Sequence, residues 1–384
     1  MATMIVATGA DPTKIRSTAR MLELDNNHIS PVAKIVSADD ILAVAKNIPT
    51  AKRIEVLCQA CRKRNATDAD VEAVREATRN LERVIEISAG DRESFFDLLQ
   101  GLTYDDVTSR QEESRRLSFR GNSSLWGIRA RVTFKTVIHS PNADKPGWID
   151  TVRLGGLLGL TRLRPVPWSL FRMNVYHDDG SVQDVTPHPL DPDIGDPLEL
   201  PVIREFSSDP LPEIWNITTE YGKRFDIAPG PIGNMGAVDC VFGDRMLPFT
   251  DIYCDERDDS LAAIIDLQTP AEVLLFDLFL HRDFTFPTPP DVIHLDRLNT
   301  ARGYNISSDE WSKLPLSAKV TQLAPGSAGC ATPHYPEYSR LLDYAFDKID
   351  RSPLEFRGFR FLLKYPTIPS AVVLRVPKLP RPEE

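Results

Sequence analysis

Proline is distributed very unevenly along this chain of 384 residues. Only Pro12, Pro31 and Pro49 precede residue 140, although the sequence contains 31 prolines. Proline breaks helix interiors and is confined to turns, sheet edges and the first turns of helices. The first third of the chain is therefore free to form helices, whereas the remainder must be divided by turns and loops.

The strongest strand signal lies where these two parts meet. Between residues 126 and 138, one parity carries Trp126, Ile128, Ala130, Val132 and Phe134, and the other carries Arg129, Arg131, Thr133 and Lys135. A period of two is typical of a strand with one buried and one solvated face. We therefore predict a polar turn over residues 118–124, followed by a strand whose arginines and lysine face solvent.

Helical periodicity fills the proline-poor part of the chain. Apolar residues recur at three- and four-residue steps over residues 13–24, 41–48, 51–64, 68–87 and 91–102. The run Thr67-Asp68-Ala69-Asp70 has the composition of a helix N-cap. Ser30-Pro31 also resembles an N-cap, with proline at the first helical position. The charged segment 105–116 is predicted to be an exposed connector or helix.

After residue 138 the sequence predicts short strands joined by turns. Asp179-Gly180 and Gly222 mark two hairpins, and residues 272–280 are apolar on both parities, which is typical of a strand buried on two faces. A helix is predicted over residues 336–349. The fold class is therefore α+β, with a small all-helical region at residues 1–115. We expect residues 116–384 to form a mainly antiparallel β-sandwich or barrel-like domain with Pro-rich loops and a C-terminal helix.

The hydrophobic and charged fractions, 42% and 26%, are those of an ordinary globular protein. No apolar run is long enough to span a membrane, and the first eight residues lack the basic start and apolar core of a secretory signal. Five cysteines are an odd number in a large chain, which favours reduced thiols over a disulfide framework. We expect a cytoplasmic protein without a membrane partner.

Residues 15–35 have the spacing of a helix-turn-helix, in which a second helix enters the major groove of duplex DNA. Its core positions are small or apolar: Ala19, Leu22, Leu24, Ile29 and Val32. Residues 1–65 carry ten Lys/Arg against six Asp/Glu, whereas the whole chain has a net charge of −10. This local positive charge permits contact with phosphates. The candidate DNA-binding residues are Arg16, Arg20, His28 and Lys34.

Two residues weigh against this interpretation. Glu23 occupies the turn position where such units usually have glycine, and Pro31 would fall inside the recognition helix, where it removes a hydrogen bond. If Ser30-Pro31 instead begins a helix, the turn is too long for the motif. The alternative is a plain helical cap that packs on residues 68–87. Whether Ser30-Pro31 begins or interrupts a helix separates the two interpretations.

Other residues that could carry chemistry are explained better by structural roles. Cys58 and Cys61 form a C-x-x-C inside a predicted helix, without two further zinc ligands nearby, which favours small inner-face residues. Cys330, His334 and Glu337 have a ligand-like spacing, but a fourth ligand is missing.

His177 and His281 stand beside carboxylates at predicted strand ends, where an acid–base or metal site could be built. Gly155-Gly156 lacks the Lys-Ser/Thr partner of a phosphate loop and is predicted to permit close packing. The face of Arg129, Arg131 and Lys135 could bind an anion, although solvation or pairing with carboxylates explains it better. We expect no metal and no cofactor.

The sequence favours a binding or regulatory protein that is not an enzyme, with duplex DNA as the partner of its N-terminal helices. One alternative is a structural or assembly protein, a homo-oligomer built through the β-rich domain. Another is a hydrolase-like enzyme that uses His177, His281 or His334 in a β cleft.

Overall fold

The computed structural model describes residues 1–39, 41–102, 107–173, 187–191, 201–219, 222–255, 259–298, 313–316 and 318–381. The chain divides into two compact units, Met1–Val107 and Thr108–Glu384. Helices form the first unit and strands dominate the second, so the chain has an α+β fold. In the described residues, no helix is long and apolar enough to cross a membrane.

The first unit is built from short helices around one apolar core. The described helices are α1 (Ala2–Ala7), α2 (Ile15–Leu22), α3 (Asn26–Val36), α4 (Ile41–Asn47), α5 (Ala51–Arg62), α6 (Asp68–Ala89) and α7 (Arg92–Leu102). The predicted cap at Thr67 is confirmed, because its hydroxyl accepts a hydrogen bond from the Asp70 amide at 3.1 Å. The core includes Met4, Ile5, Leu22, Ile29, Val32, Leu57 and Val71. The sequence did not predict α1.

The predicted turn over residues 118–124 is wrong. These residues belong to α8 (Val107–Trp126), which leads into the second unit. Phe119 is buried and packs against Tyr365, with ring centroids 5.5 Å apart. This long-range contact outweighs the weak helix propensity of the Ser, Asn and Gly residues around it. Trp126 ends the helix and is exposed, rather than being the first core residue of the strand.

The described residues of the second unit form three sheets. The described strands are β1 (Ile128–Pro141), β2 (Trp148–Arg162), β3 (Trp168–Met173), β4 (His188–Pro189), β5 (Ile214–Thr219), β6 (Gly222–Ile227), β7 (Val238–Asp251), β8 (Ser260–Leu267), β9 (Ala271–His281), β10 (Asp291–Asp296), β11 (Thr321–Gln322), β12 (Phe356–Lys364) and β13 (Ser370–Pro377). The strand orders are β11-β12-β9-β1-β2-β7-β4, β10-β13-β8 and β3-β6-β5, and none of these sheets closes into a barrel among the described strands.

Among the described strands, pairing is antiparallel except between β1 and β9, which run parallel. The hairpin predicted at Gly222 is confirmed by the antiparallel pairing of β5 with β6. The hairpin predicted at Asp179-Gly180 lies outside the described residues. The predicted C-terminal helix is confirmed as α9 (Tyr338–Asp347).

The seven-stranded sheet is covered on both faces. On one face it packs against α9, through residues that include Val132, Phe134, Leu275, Phe279, Leu341 and Phe346. On the other face it packs against β8 and β13, through residues that include Val137, Leu274, Phe276, Phe361, Val372 and Leu374. β9 contributes to both cores, as its two apolar parities predicted.

This double cover corrects the prediction that one face of β1 is solvated. Arg129 and Arg131 are exposed, but Thr133 is buried and Lys135 is partly buried. Alternation fixes which side chains share a face, but the second layer that covers the polar face comes from β8, much later in the chain.

A buried ion pair lies under α9. Asp277 on β9 stands directly opposite Arg360 on β12, and Arg360 donates to both of its carboxylate oxygens. The Tyr338 hydroxyl of α9 lies 2.7 Å from the same carboxylate and 2.7 Å from the Thr136 hydroxyl of β1. The pair and its hydrogen bonds thus join the helix to three neighbouring strands.

Candidate functional site

The helices α2 and α3 are joined by a turn of only three residues, 23–25. Glu23 has φ 55° and ψ 41°, which is the left-handed conformation that favours glycine. A residue with a side chain adopts it at a cost of roughly 1–2 kcal/mol. Glu23 therefore makes a short left-handed turn between α2 and α3, although its residue type had weighed against such a turn.

The helix α3 is continuous from Asn26 to Val36 and contains Pro31, so the prediction that Ser30-Pro31 begins a helix is wrong. The residue before the helix is Asp25, in an extended conformation that is usual for an N-cap. Pro31 cannot donate to the Asn27 carbonyl one turn earlier. Asn27 is exposed, so water can satisfy that carbonyl.

The crossing of α2 and α3 is tightly packed. Ala19 and Leu22 of α2 and Ile29 and Val32 of α3 are buried in one core, and Leu24 packs against it from a partly buried position. These five side chains therefore pack together, as their apolar character predicted.

Three of the four predicted DNA-binding residues lie at the surface. Arg16 and Arg20 are exposed and stand one turn apart on α2, and Lys34 is exposed on α3. The nearby ion pairs are Lys14 with Asp11 and Arg64 with Glu23. Within the described part of the chain, Arg16, Arg20 and Lys34 have no carboxylate partner. Their charges are therefore available to an external anion.

The exposed side of α3 also carries polar groups that sequence reasoning missed. Because an α-helix turns once in 3.6 residues, Asn27, Ser30 and Lys34 fall in one stripe along its axis. Asn27 is exposed and Ser30 is partly buried. The signal that could have revealed this stripe was Asp25 as the N-cap, which places the start of α3 at Asn26, four residues before Ser30.

His28 is placed differently from the other three residues. It lies about 100° around α3 from Asn27, it is partly buried, and its Nδ1 atom is buried without a hydrogen-bond partner. The structure therefore brings together Arg16 with Arg20 and Lys34 with Asn27, and sets His28 to the side of that stripe.

Cys58 and Cys61 are fully buried in the core of the first unit. Burial raises the pKa of both thiols, that of Cys61 to about 11. A redox pair needs thiols with a lowered pKa. The C-x-x-C therefore acts as two small core residues on the inner face of α5.

Cys330, His334 and Glu337 each have separate contacts. The Cys330 thiol donates to the Gly326 carbonyl at 3.4 Å, and Glu337 pairs with Arg340 at 2.9 Å. Arg131 donates to the His334 carbonyl at 2.8 Å. Over the described ranges, no three His, Cys, Asp or Glu side chains are grouped as metal ligands.

Of the three histidines in the hydrolase hypothesis, His177 lies outside the described residues. His281, at the end of β9, is buried beside Phe284 and Phe356, and burial lowers its pKa. His334 is partly buried in the loop before α9. No hydrogen bond or ion pair between described residues joins these two histidines to each other.

Gly156 lies in β2, where close packing had been predicted. A Cβ atom at this position would stand 2.5 Å from the Cys240 carbonyl oxygen and 2.6 Å from the Phe134 ring. The prediction is confirmed, because the neighbouring backbone leaves no room for a side chain.

The chain matches no protein-family model, no curated protein and no solved structure.

Proposed function

We propose that the protein is a DNA-binding regulator without enzymatic activity, and that α3 enters the major groove of duplex DNA. The observation that carries this proposal is the three-residue turn at Glu23, which leads into an uninterrupted α3. A helix-turn-helix requires this geometry, because a longer turn would not hold the second helix across the first.

The chemistry of the exposed stripe fits base contacts. In such units the N-terminal part of the second helix contacts base edges. Asn27 offers an amide, which can pair with adenine at two points, and Ser30 offers a hydroxyl. Lys34, two turns from the start of α3, and Arg16 and Arg20 on α2 would contact phosphates, which position a protein on DNA without reading its sequence.

The test compares two triple variants of the full chain. Fluorescence anisotropy with a labelled duplex of mixed sequence measures affinity at several salt concentrations. We expect the wild type to bind with a salt-dependent affinity and Arg16→Ala/Arg20→Ala/Lys34→Ala to lose that binding, because each phosphate contact releases counterions. His28→Ala should bind almost as the wild type does, since its ring is not part of the exposed stripe.

The matched control is Lys52→Ala/Arg53→Ala/Lys63→Ala. These three exposed cations belong to α5 and the residue after it, and they carry the same total charge. An equal loss in both triple variants would show general attraction by the helical unit rather than docking through α2 and α3. No binding by the wild-type protein even at low salt would refute the proposal.

A second proposal is that the β-rich unit forms a homo-oligomer. One observation favours it: five large apolar residues are exposed on neighbouring segments, namely Leu125, Trp126, Leu163, Ile232 and Met235. The Leu163 amide donates to the Gly127 carbonyl, and the Gly233 amide donates to the Arg162 carbonyl, both at 2.8 Å, so these segments are adjacent. Exposed apolar patches of this kind often mark interfaces.

Light scattering after gel filtration tests the second proposal. We expect a dimer or higher oligomer that dissociates in Ile232→Glu/Met235→Glu. The control variant is Leu298→Glu/Leu354→Glu, because both leucines are exposed elsewhere on the same unit, at 80% and 67%. A strict monomer at all concentrations would contradict the proposal.

We also propose that the sheets form a mainly antiparallel sandwich, and that the protein works in the cytoplasm, where its free cysteines stay reduced.

A further inference from the structure

A cavity of about 240 Å³ lies inside the β-rich unit, between the face of β1, β2 and β7 and the outer edge of β8. Polar groups on β1 and β2 form its floor, including Thr133, Lys135, His139, Thr151 and Arg153. Its walls include the apolar side chains of Phe171, Phe242, Met246 and Phe249. The volume is below the roughly 300–1,000 Å³ of sites for drug-sized ligands, so the cavity suits a small molecule.

Lys135 provides a positive charge that has no ion-pair partner among the described residues of this cavity. Its ammonium donates one hydrogen bond, to the carbonyl of Ile264 on β8. In the ranges that the structure describes, no carboxylate lies within ion-pair distance of this lysine. An ammonium group has three donors, so two remain for another acceptor.

The other charged groups described near the cavity already have partners. Arg153 donates to both oxygens of Asp244, with both distances 2.7 Å. Asp266, at the rim on β8, lies 3.3 Å from Arg297. Lys135 therefore adds a positive charge that has no ion-pair partner among the described residues, and this charge suits an anionic group of a ligand.

His139 supplies a second unfilled polar position. It is 1% exposed, its Nδ1 atom lies 2.8 Å from the Thr151 hydroxyl, and its Nε2 atom is buried without a partner. Burial lowers the pKa of His139 to about 3, so the ring is neutral at pH 7. It can therefore exchange a hydrogen bond with a ligand without adding charge. Buried polar atoms are seldom left unpaired.

The geometry points to a binding site for a small organic monocarboxylate in this cavity, with the carboxylate facing the Lys135 ammonium and an apolar body facing Phe242, Met246 and Phe249. His139 Nε2 would meet a polar group of the ligand. This site is independent of DNA binding, and it would make the β-rich unit a ligand-binding module.

Calorimetric titration of the full chain with probes of matched shape tests this inference. The probes are benzoate, benzyl alcohol and benzylamine, with isovalerate as a smaller acid and inorganic phosphate as the competing anion. We expect benzoate or isovalerate to bind at least about tenfold more tightly than benzyl alcohol, as for a charge-assisted contact, and benzylamine not to bind. Absence of binding by both acids, or tighter binding of phosphate, would overturn the inference.

Variants locate the site. Lys135→Met keeps an apolar chain of similar length and should weaken benzoate binding about tenfold or more, while benzyl alcohol is unaffected. Lys319→Met, which removes an exposed lysine outside the cavity, should leave benzoate binding unchanged. Circular dichroism confirms that each variant is folded. Benzoate binding that survives in Lys135→Met would place the anion elsewhere and refute the site.

The pH dependence of the wild type gives a test that needs no variant. Burial and the neighbouring Arg153 lower the pKa of Lys135 to about 8, against the opposing effects of Asp244 and Asp266, while His139 stays neutral. Benzoate affinity should therefore be constant from pH 6 to 7 and fall above pH 8. An affinity that is unchanged at pH 10 would show that Lys135 does not hold the carboxylate.

Discussion

Arg360 and Asp277 form a two-point ion pair inside the β-rich unit, with Nε 2.9 Å from Oδ1 and Nη2 2.7 Å from Oδ2. The Asp277 side chain is fully buried, and the Arg360 side chain is 10% exposed. Removing the arginine would leave a buried carboxylate without its opposite charge. We expect Arg360→Met to lower the free energy of unfolding by about 3–5 kcal/mol, measured by urea denaturation.

Arg340→Met is the control for this pair. Arg340 also pairs with a carboxylate, that of Glu337, but both side chains are about half exposed. Such surface pairs contribute about 0–1 kcal/mol. The double variant Asp277→Leu/Arg360→Met, which removes both charges, should be more stable than Arg360→Met. Similar losses in Arg340→Met and Arg360→Met would argue against a special role for the buried pair.

Lys135 should destabilise the folded protein at neutral pH. Its pKa is lowered to about 8 in the folded chain, whereas an unfolded lysine titrates near ~10.4. The folded state therefore binds this proton less tightly than the unfolded state does. The resulting loss of stability is complete below pH 8 and disappears as the pH rises from about 8 through about 10.4. We expect Lys135→Met to raise the free energy of unfolding by about 1–3 kcal/mol at pH 7.

Urea denaturation at pH 7 and pH 10 tests whether the charge of Lys135 lowers the free energy of unfolding. Most of the stabilisation in Lys135→Met should be lost at pH 10, because the wild-type amine is by then neutral in the folded state. An equal gain at pH 7 and pH 10 would mean that packing of the methionine, rather than removal of a charge, explains it.

The left-handed turn residue gives a third prediction. Glu23→Gly should stabilise the helical unit by about 1 kcal/mol, because glycine adopts positive φ without steric cost. The ion pair of Glu23 with Arg64 is lost in this variant, but both side chains are exposed, at 79% and 48%, so the loss is small. Thermal unfolding followed by circular dichroism measures the change.

The control for the turn is Glu23→Ala, which loses the same ion pair but keeps a Cβ atom at positive φ. It should be less stable than Glu23→Gly. If the alanine and glycine variants unfold at the same temperature, the turn is not left-handed in solution.

The cysteines should differ sharply in reactivity. Cys58 and Cys61 are fully buried, and burial raises the pKa of Cys240 to about 12 and that of Cys330 to about 11. The thiolate is the reactive form, so these four thiols are protected. Cys254 is partly buried.

We expect Ellman's reagent to modify Cys254 first in the native protein at neutral pH, and Cys254→Ser to abolish the fast phase. Peptide mapping of the modified protein identifies the site. Rapid modification of Cys58 or Cys61 would instead restore a redox role for the C-x-x-C.

Local sequence signals succeeded where an element's own residues decide its shape. The alternation from Ile128 to Phe134 predicted β1, and Thr67 predicted the start of α6. The apolar parities of β9 predicted that it is buried on two faces. In each case the periodicity or the cap is contained within the element itself.

The same signals failed where residues far away in the sequence determine the structure of a segment. Residues 118–124 are helical because Phe119 meets Tyr365 near the other end of the chain. Lys135 is enclosed because Ile264, 129 residues later, supplies the carbonyl above it. The cavity lies between β1 and β2 on one side and β8 on the other, about 100 residues later in the chain, so no local pattern in the sequence predicts it. The apolar spacing over residues 15–35 was visible in the sequence, but the left-handed conformation of Glu23 was not.

The parallel pairing of β1 with β9 has a consequence for synthesis on the ribosome. Ala130 pairs with Ala271, and at roughly 5–20 residues per second β9 emerges on the order of seven to thirty seconds after β1. During that interval β1 can pair with β2 alone, and its other edge stays open to pairing with foreign strands. The nascent chain is therefore most prone to aggregation after β2 has emerged and before β9 arrives, the period in which a chaperone would protect it best.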